Sequence, residues 1–356
     1  AARGPGGGEA LNGKRAGEHF GPKDPFELDV TDLVKREGSN EILIGMRDST
    51  LAAFSNGKPI ATGSRSCGYL SDVELFAQPA VAITDVFVKP SFRNKSLTVV
   101  CATSPAAAGL RLQQAVFFGG VKVLTLPETM IAENGTATTT APWATPILWD
   151  VAKPNLLRLD TRLVDAKGAT VDLCQTRFGF REIWPEGHSL YLNGRVVKLR
   201  AYAMDSGWST LQKSRADLRR RAREAMAFGG QAKMHGSNWH GMMDVADEEG
   251  LLLAQNIAGP SGPTQQIIDS DEFWRNMELF ATRCIAQFKN HPCIVEWKLS
   301  NEFSEHSDLV EKATQRLQAL GAAVKRLDET RISEFSCDLD IRGWANNIST
   351  HYPVDL

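Results

Sequence analysis

Hydrophobic and polar residues alternate in two different ways along this chain of 356 residues. Up to about residue 181, short runs with a period of two are separated by turn residues, a pattern that predicts β-strands. The clearest predicted strands are 26–30, 41–46, 83–88, 96–102, 111–118 and 156–163. From about residue 182, strands alternate with amphipathic helices, which is typical of a parallel sheet covered by helices.

The second half of the chain begins with a predicted hairpin at 190–195, because Asn193-Gly194 favours a tight two-residue turn. Six strand units are then predicted, at 196–201, 232–235, 251–255, around 295–300, 331–336 and 347–351. Helices are predicted between them at 216–228, 242–249, 271–288 and 308–327, with Asp269 and Ser270 as caps of the third. A (β/α)8 barrel has eight such units, so the sequence predicts an incomplete TIM barrel.

The fourth predicted strand carries the strongest chemical signal. Three apolar residues (Val295, Trp297, Leu299) alternate with three polar ones (Glu296, Lys298, Ser300), as expected when successive side chains face opposite sides of a sheet. The run ends on Asn301-Glu302, after which the chain becomes polar and helical. A carboxylate at the C-terminal end of a barrel strand lies where such enzymes carry out their chemistry.

His291-Pro292, Trp297 and Asn301-Glu302 together resemble the general acid/base strand of glycoside hydrolase family 2, the β-galactosidase, β-glucuronidase and β-mannosidase group. Two other segments resemble the same family: 178–182, which reads Phe-Gly-Phe-Arg-Glu, and 244–252. The resemblance implies a partial β jelly roll over 1–78, an immunoglobulin-like β-sandwich over 79–181, and strands 1 to 6 of a TIM barrel over 182–356. It also implies a fragment that lacks both ends of the family's chain.

The resemblance further implies a retaining exo-glycosidase that hydrolyses terminal β-linked sugars. Glu302 is then the general acid/base, and Asn301 hydrogen-bonds the 2-hydroxyl of the sugar. The family places its nucleophile on the seventh strand, so we assign none in this chain. Glu296 and Glu334 do not match that position and are interpreted as structural residues.

Residues at other predicted strand ends are candidates for substrate binding. Asp205 is expected to hydrogen-bond sugar hydroxyls and Trp208 to stack on a sugar face, although aromatic residues near strand ends often belong to the core. His235 ends the predicted second strand, where Lys233 stands in place of the family's arginine. The last two candidates are His351 and Tyr352, at the end of the predicted sixth strand.

Two other interpretations stay open. An Asn-Glu pair at the start of a helix is also favourable for purely structural reasons, because an acid there complements the helix dipole. A non-catalytic carbohydrate-binding relative would keep the same β-domains and a partial barrel. A nucleotide-binding α/β protein finds no support, since no GxGxxG or GxxxxGK follows any strand.

Composition and net charge also bear on which partners and cofactors are expected. The chain is 42% hydrophobic and 23% charged with a net charge of -2, so we expect no nucleic-acid and no membrane partner. Six scattered cysteines show no metal-ligand spacing, and we predict neither a metal nor another cofactor. The first residues lack the apolar core of a secretion signal. The expected partner is a glycoside or oligosaccharide, a homo-oligomer is possible, and the cellular compartment is left open.

Overall fold

The computed structural model describes residues 7–19, 26–45, 51–55, 58–61, 73–104, 107–204, 214–234, 240–257, 264–301 and 310–336. Its elements follow the predicted order, with sheets first and alternating strands and helices afterwards. None of the helices in these ranges is both long enough and apolar enough to span a lipid bilayer.

The first region contains two small antiparallel sheets. Strands β1 (Gly7–Leu11), β2 (Lys14–His19) and β3 (Ile42–Gly45) are ordered β2-β1-β3, while β4 (Leu51–Ser55) pairs with β5 (Lys58–Ala61). The assignment of residues 1–78 to a jelly roll stays a prediction.

The prediction of a strand at 26–30 is wrong, because the structure assigns no strand to this segment. Both edges of β1 are already occupied by β2 and β3. The segment then ends in a turn in which the Asp29 carboxylate accepts hydrogen bonds from the backbone and the hydroxyl of Thr31. Such a side-chain turn competes with the extended backbone that a sheet partner would need.

A β-sandwich follows, built from two antiparallel sheets. One sheet has the order β11-β7-β6, and the other has the order β10-β8-β14-β15 with β9 also paired to β8. Burial alternates along β7, β11 and β14, so one face of each strand contributes to a shared apolar core. The strands are β6 (Ile83–Ser91), β7 (Ser96–Thr103), β8 (Arg111–Phe118), β9 (Val121–Thr125), β10 (Thr129–Met130), β11 (Thr136–Pro142), β14 (Leu157–Val164) and β15 (Thr170–Phe178).

Short antiparallel elements connect the sandwich to the barrel. Strands β12 (Trp149–Asp150) and β13 (Lys153–Pro154) form a ribbon, and β16 (Ile183–Glu186), β17 (Ser189–Leu192) and β18 (Arg195–Val197) form a three-stranded sheet. The predicted hairpin turn is confirmed, since Asn193 and Gly194 both have positive φ, 51° and 78°. Residues 196–197 belong to this sheet, so the prediction that they begin the first barrel strand is wrong.

Five parallel strands in the order β19-β20-β21-β22-β23 account for part of a (β/α)8 barrel. Each strand lies next to its successor in the chain, which is the arrangement that repeated strand-helix units produce. The strands are β19 (Arg200–Met204), β20 (Gly230–Met234), β21 (Leu252–Asn256), β22 (Ile294–Asn301) and β23 (Ile332–Ser336), and the helices are α1 (Arg215–Ala227), α2 (His240–Glu249), α3 (Gln265–Asp269), α4 (Asp271–Phe288) and α5 (Val310–Leu327). The predicted sixth strand, 347–351, lies outside the described residues.

Serine and threonine side chains cap the helix starts in the barrel, and Ser270 is the one of the two predicted caps of α4 that takes this role. Ser270 accepts a hydrogen bond from the backbone of Phe273 at the start of α4, and Ser214 and Thr264 do the same for α1 and α3. The apolar faces of the helices pack on the outer face of the parallel sheet in one continuous core. This packing fixes the strand ends relative to one another.

Arg181, directly after the last sandwich strand, joins the sandwich to the barrel. Its buried guanidinium donates to the carbonyl oxygens of Pro292 (3.0 Å) and Thr330 (3.2 Å) and to that of Ile294. Arg331 donates to the carbonyl of His291 (3.0 Å) on the same segment. The sandwich therefore holds the N-terminal end of β22, which is the end opposite the Asn-Glu pair.

Gly179 allows the two domains to approach closely. A Cβ at this position would lie 2.6 Å from the Cβ of Trp149 and 2.7 Å from that of Pro292, both too short for real side chains. The Trp149 indole in turn donates to the backbone carbonyl of Asp247 on α2 (2.8 Å). A side chain at residue 179 would separate these surfaces, so glycine is required by packing here.

Candidate active site

The candidate site lies along the carboxyl edge of the parallel sheet. The five strands end at Met204, Met234, Asn256, Asn301 and Ser336. Because all five run in the same direction, these residues lie along one edge, where barrel enzymes carry their catalytic groups.

Three of the predicted site residues directly follow one of these strand ends in the sequence. Asp205 comes after β19, His235 after β20 and Glu302 after β22. These three residues, together with Trp208, His351 and Tyr352, lie outside the described residues. Asn301 lies inside them, and its backbone forms the last position of β22.

The pairing of β22 with β23 becomes irregular just before the site. Lys298 is paired with Glu334 and Asn301 with Ser336, so three steps along β22 correspond to two along β23. One extra residue is therefore inserted into β22 immediately below its end. Bulges of this kind bend a strand and redirect its side chains, and they occur often beside active sites.

The outer face of β22 is identified by its contacts with α5. The Trp297 indole donates to the Asp328 carboxylate (2.8 Å), which lies just beyond α5. A Cβ on Gly321, in the middle of α5, would lie 3.0 Å from Phe335 and 3.7 Å from Leu299. Trp297, Leu299 and Phe335 thus face the helix layer.

The residues between them face the other side, which is the interior of the barrel. They are Lys298 and Ser300 on β22 and Glu334 on β23, and Glu296 lies one position further from the site on the same face as Lys298. All four are buried, with 4% exposure or less. The polar half of the predicted alternation therefore faces the barrel interior, where the polar side chains form a layer beneath the candidate site.

At the opposite end of β22, Asp247 organises the segment that starts with His291-Pro292. One carboxylate oxygen accepts from the His291 ring (2.6 Å), and the other accepts from the backbone N–H of Cys293 (3.0 Å). Asp247 is buried, and these contacts make it a structural residue of this segment. The His-Pro part of the family resemblance corresponds to this structural anchor.

Ligand atoms of Asp247, His291 and Cys293 lie within 4.8 Å of one another, a spacing that could hold a metal ion. Both carboxylate oxygens already accept hydrogen bonds, and a guanidinium nitrogen of Arg177 lies 3.7 Å from one of them. Burial raises the pKa of the Cys293 thiol well above its ordinary value, which disfavours the thiolate that binds metals. These contacts favour a structural network over a metal site.

Asp328 and Arg331 form a buried ion pair under the Trp297 indole (3.1 Å). Burial alone would raise the pKa of Asp328, but Arg331 and hydrogen bonds from Thr330 and Trp297 outweigh it and lower that pKa. Asp328 is therefore ionised near neutral pH and holds the indole in place. In the sequence, the only signal of this pair is two opposite charges three residues apart.

Lys298 also lies outside the set of site residues predicted from the sequence. It is fully buried in the strand that ends on Asn301. The sequence contains one signal for it, a lysine between Trp297 and Leu299 in a strand with alternating apolar and polar residues. In a barrel strand whose apolar face packs on the helices, the polar face points into the barrel interior.

Models of one family match the chain in two places. The model described as glycosyl hydrolases family 2 matches residues 81–181, and the TIM barrel domain of glycosyl hydrolases family 2 matches residues 237–352. Together these matches cover more than half of the chain.

Individual proteins agree with these matches. A β-galactosidase of Vibrio vulnificus is 27% identical over 263 residues, which cover 68% of this chain and 25% of that protein. Among solved structures, a Bacteroides uniformis β-glucuronidase (TM-score 0.75, 21% identity) aligns with 94% of this chain and 43% of its own. A β-galacturonidase from Eisenbergiella tayi bound to galacturonate (TM-score 0.69, 18% identity) aligns with 93% of this chain and 60% of its own.

The first curated relatives that match are much longer than this chain, which spans 25% to 40% of their length. The two family matches nevertheless agree with the structure: the first covers the β-sandwich, and the second covers part of the parallel sheet and its helices. The chain belongs to glycosyl hydrolase family 2.

Proposed function

We propose that the protein is a retaining exo-glycosidase that hydrolyses O-glycosidic bonds of terminal β-linked sugars, with Glu302 as general acid/base. The observation that supports this most strongly is that Asn301 ends a barrel strand and Glu302 follows it. Asp205 and His235 follow the ends of two other strands in the same parallel sheet. The proposal thereby assigns Asp205, His235 and Glu302, which are distant in the sequence, to one edge of the sheet.

The chemistry requires a proton for the departing oxygen and a second carboxylate across the sugar ring. Glu302 donates the proton and then, as a base, activates the water that releases the sugar. Asn301 hydrogen-bonds the 2-hydroxyl, a contact that strengthens in the transition state. Asp205, Trp208, His235, His351 and Tyr352 form the remaining substrate contacts in this proposal.

We assign no nucleophile. In retaining enzymes the two carboxyl groups lie about 5 Å apart, on either side of the scissile bond. Glu296 and Glu334 are buried within the strands below the edge, at 3% and 4% exposure. This supports their interpretation as parts of the interior polar layer.

The substrate class is proposed from the relatives. Proteins similar to this chain are named as β-galactosidases and β-glucuronidases, and one as a β-galacturonidase. We therefore propose a terminal β-galactoside or β-glucuronide as substrate.

A panel of nitrophenyl β-galactoside, β-glucuronide, β-galacturonide and β-mannoside tests this proposal in the protein expressed from its complete reading frame. We expect hydrolysis of at least one uronide or galactoside, and proton NMR of the first-formed sugar should detect the β-anomer. The α-anomer would contradict the retaining mechanism. Binding of the sugars without any hydrolysis would instead favour the carbohydrate-binding alternative.

A further inference from the structure

Two oppositely charged side chains lie next to each other inside the barrel, below the end of β22. Lys298 and Glu334 are register partners on adjacent parallel strands, with 0% and 4% exposure. Building on the proposed function, we propose that Lys298 and Glu334 are positioning residues which set the protonation of the acid/base carboxyl that follows Asn301. This role concerns charge and adds no direct contact with substrate.

Their burial indicates that these charges act strongly on their surroundings. Moving an ionised side chain out of water costs several kcal/mol unless neighbouring groups compensate for it. The outer face of the same strand shows that an apolar residue is readily accommodated in this sheet, since Trp297 and Leu299 are fully buried there. A lysine is therefore not required to fill space at this position.

The separation from the site is short enough for an effect through space. Lys298 precedes Glu302 by four residues, and four residues of chain span at most about 13 Å. At about 10 Å and an effective dielectric constant of about 20, one charge shifts a carboxyl pKa by about one unit.

Other ionisable groups next to Lys298 come from its own strand and from its neighbours. Glu296 lies on the same face of β22, Glu334 is supplied by β23, and β21 carries no ionisable residue. The next strands carry three ionisable residues, Arg200 and Tyr202 on β19 and Lys233 on β20. Arg200 is exposed at the start of β19, the end opposite the site, and the side chains of Tyr202 and Lys233 lie outside the described part of the chain.

The helix side of β22 contributes a separate pair of charges. Asp328 and Arg331 form an ion pair beneath Trp297, on the outer face of the sheet. Arg331 also donates to the carbonyls of His291 and Ile294, at the end of β22 opposite Asn301, so this pair lies further along the strand from the candidate site than Lys298 does.

The two residues should act in opposite directions. The positive charge of Lys298 favours the carboxylate form of Glu302 and lowers its pKa, whereas the negative charge of Glu334 raises it. A general acid is active when protonated, so its pKa sets the alkaline limb of the pH profile of kcat/KM. Lys298→Met should move this limb to higher pH, and Glu334→Gln should move it to lower pH.

The experiment measures kcat/KM against pH for the protein from its complete reading frame, with whichever phenyl β-glycoside it cleaves. The variants are Lys298→Met, Lys298→Arg and Glu334→Gln. Lys289→Met is the control, since it removes another buried lysine (7% exposed) that pairs with Asp85 near the opposite end of the strand. Phenol is a poor leaving group, which makes the rate depend on the acid.

We expect opposite shifts of about one pH unit for Lys298→Met and Glu334→Gln, and no shift for Lys298→Arg or the control. A structural role would lower the rate at every pH without moving the limb. If both shifts are smaller than about 0.3 unit, the inference is overturned while the proposed function stands. If Lys298→Met does not fold, the downward shift of the isosteric Glu334→Gln decides alone. A wild-type protein that cleaves no β-glycoside overturns both proposals.

Discussion

Replacing Arg181 by methionine should destabilise the junction between the sandwich and the barrel. The substitution keeps a long side chain but removes the donors that reach the carbonyls of Pro292, Ile294 and Thr330. The carbonyl of Ile294 keeps a second donor, the Nε of Arg331, whereas those of Pro292 and Thr330 lose theirs. At about 1–3 kcal/mol for each buried carbonyl left without its donor, the loss is about 2–6 kcal/mol.

One effect works in the opposite direction. Burial and the neighbouring Arg331 both lower the pKa of Arg181, which means that the folded protein holds this charge at a cost. Removing the charge recovers part of that cost. We therefore expect a net decrease of about 2–4 kcal/mol in the free energy of unfolding.

Urea denaturation at pH 7, followed by tryptophan fluorescence and far-UV circular dichroism, measures this change. Arg158→Met is the matched control, because Arg158 belongs to the same sandwich but is 46% exposed in its pair with Asp160. The control should lose less than about 1 kcal/mol. If Arg181→Met also loses less than about 1 kcal/mol, the carbonyl contacts do not hold the two domains together.

Three further substitutions and reactions test other parts of the structure. Gly179→Ala should lower the free energy of unfolding by about 1–3 kcal/mol. Gly8→Ala is the control and should lower it less, because no atom lies within 4 Å of the added Cβ. Equal losses would argue against close packing at Gly179. Asp328→Asn should lower the free energy of unfolding by about 3 kcal/mol at pH 7. Because Asp328 has a lowered pKa and stabilises the fold only while it is ionised, the difference in stability from wild type should shrink as the pH falls below about 4. A difference that does not depend on pH would contradict this. Cys293 should be alkylated by iodoacetamide about 100-fold more slowly than the half-buried Cys174, as mass spectrometry of the labelled peptides can establish, and comparable rates would show that the thiol is accessible.

Local signals in the sequence predicted several elements closely. Helix α4 has the predicted bounds, 271–288, because Ser270 caps its first turn and the apolar residues repeat at helical spacing. Strand β8 also has the predicted bounds, 111–118. In both cases residues close in sequence supply the information that determines the element.

Elements that depend on distant partners were predicted less well. The segment 26–30 has the alternation of a strand, but both edges of β1 are taken by other strands. The residues 196–197 have the apolar pattern of a barrel strand, yet they pair with β17. Periodicity cannot distinguish these outcomes, because it carries no information about which sheet edge is available.

The candidate site shows the same division. The end of β22 at Asn301 follows from the local pattern, and so does the position of Glu302 after it. The contacts of Arg181 could not be predicted, since they join residues more than one hundred positions apart. The interior location of Lys298 depends on the closure of a sheet, which a pattern of alternating residues does not specify.

The most direct test of the central claim compares leaving groups in Glu302→Gln, in the protein from its complete reading frame. Glu329→Gln, in which a glutamate with a 71% exposed side chain is changed, is the control. If Glu302 protonates the departing oxygen, the variant should lose about 10²–10⁴-fold in kcat/KM on phenyl β-glycosides and far less on dinitrophenyl β-glycosides, which need no proton. Equal losses on both substrates, or turnover like that of the control, would contradict the assignment of Glu302 as the acid.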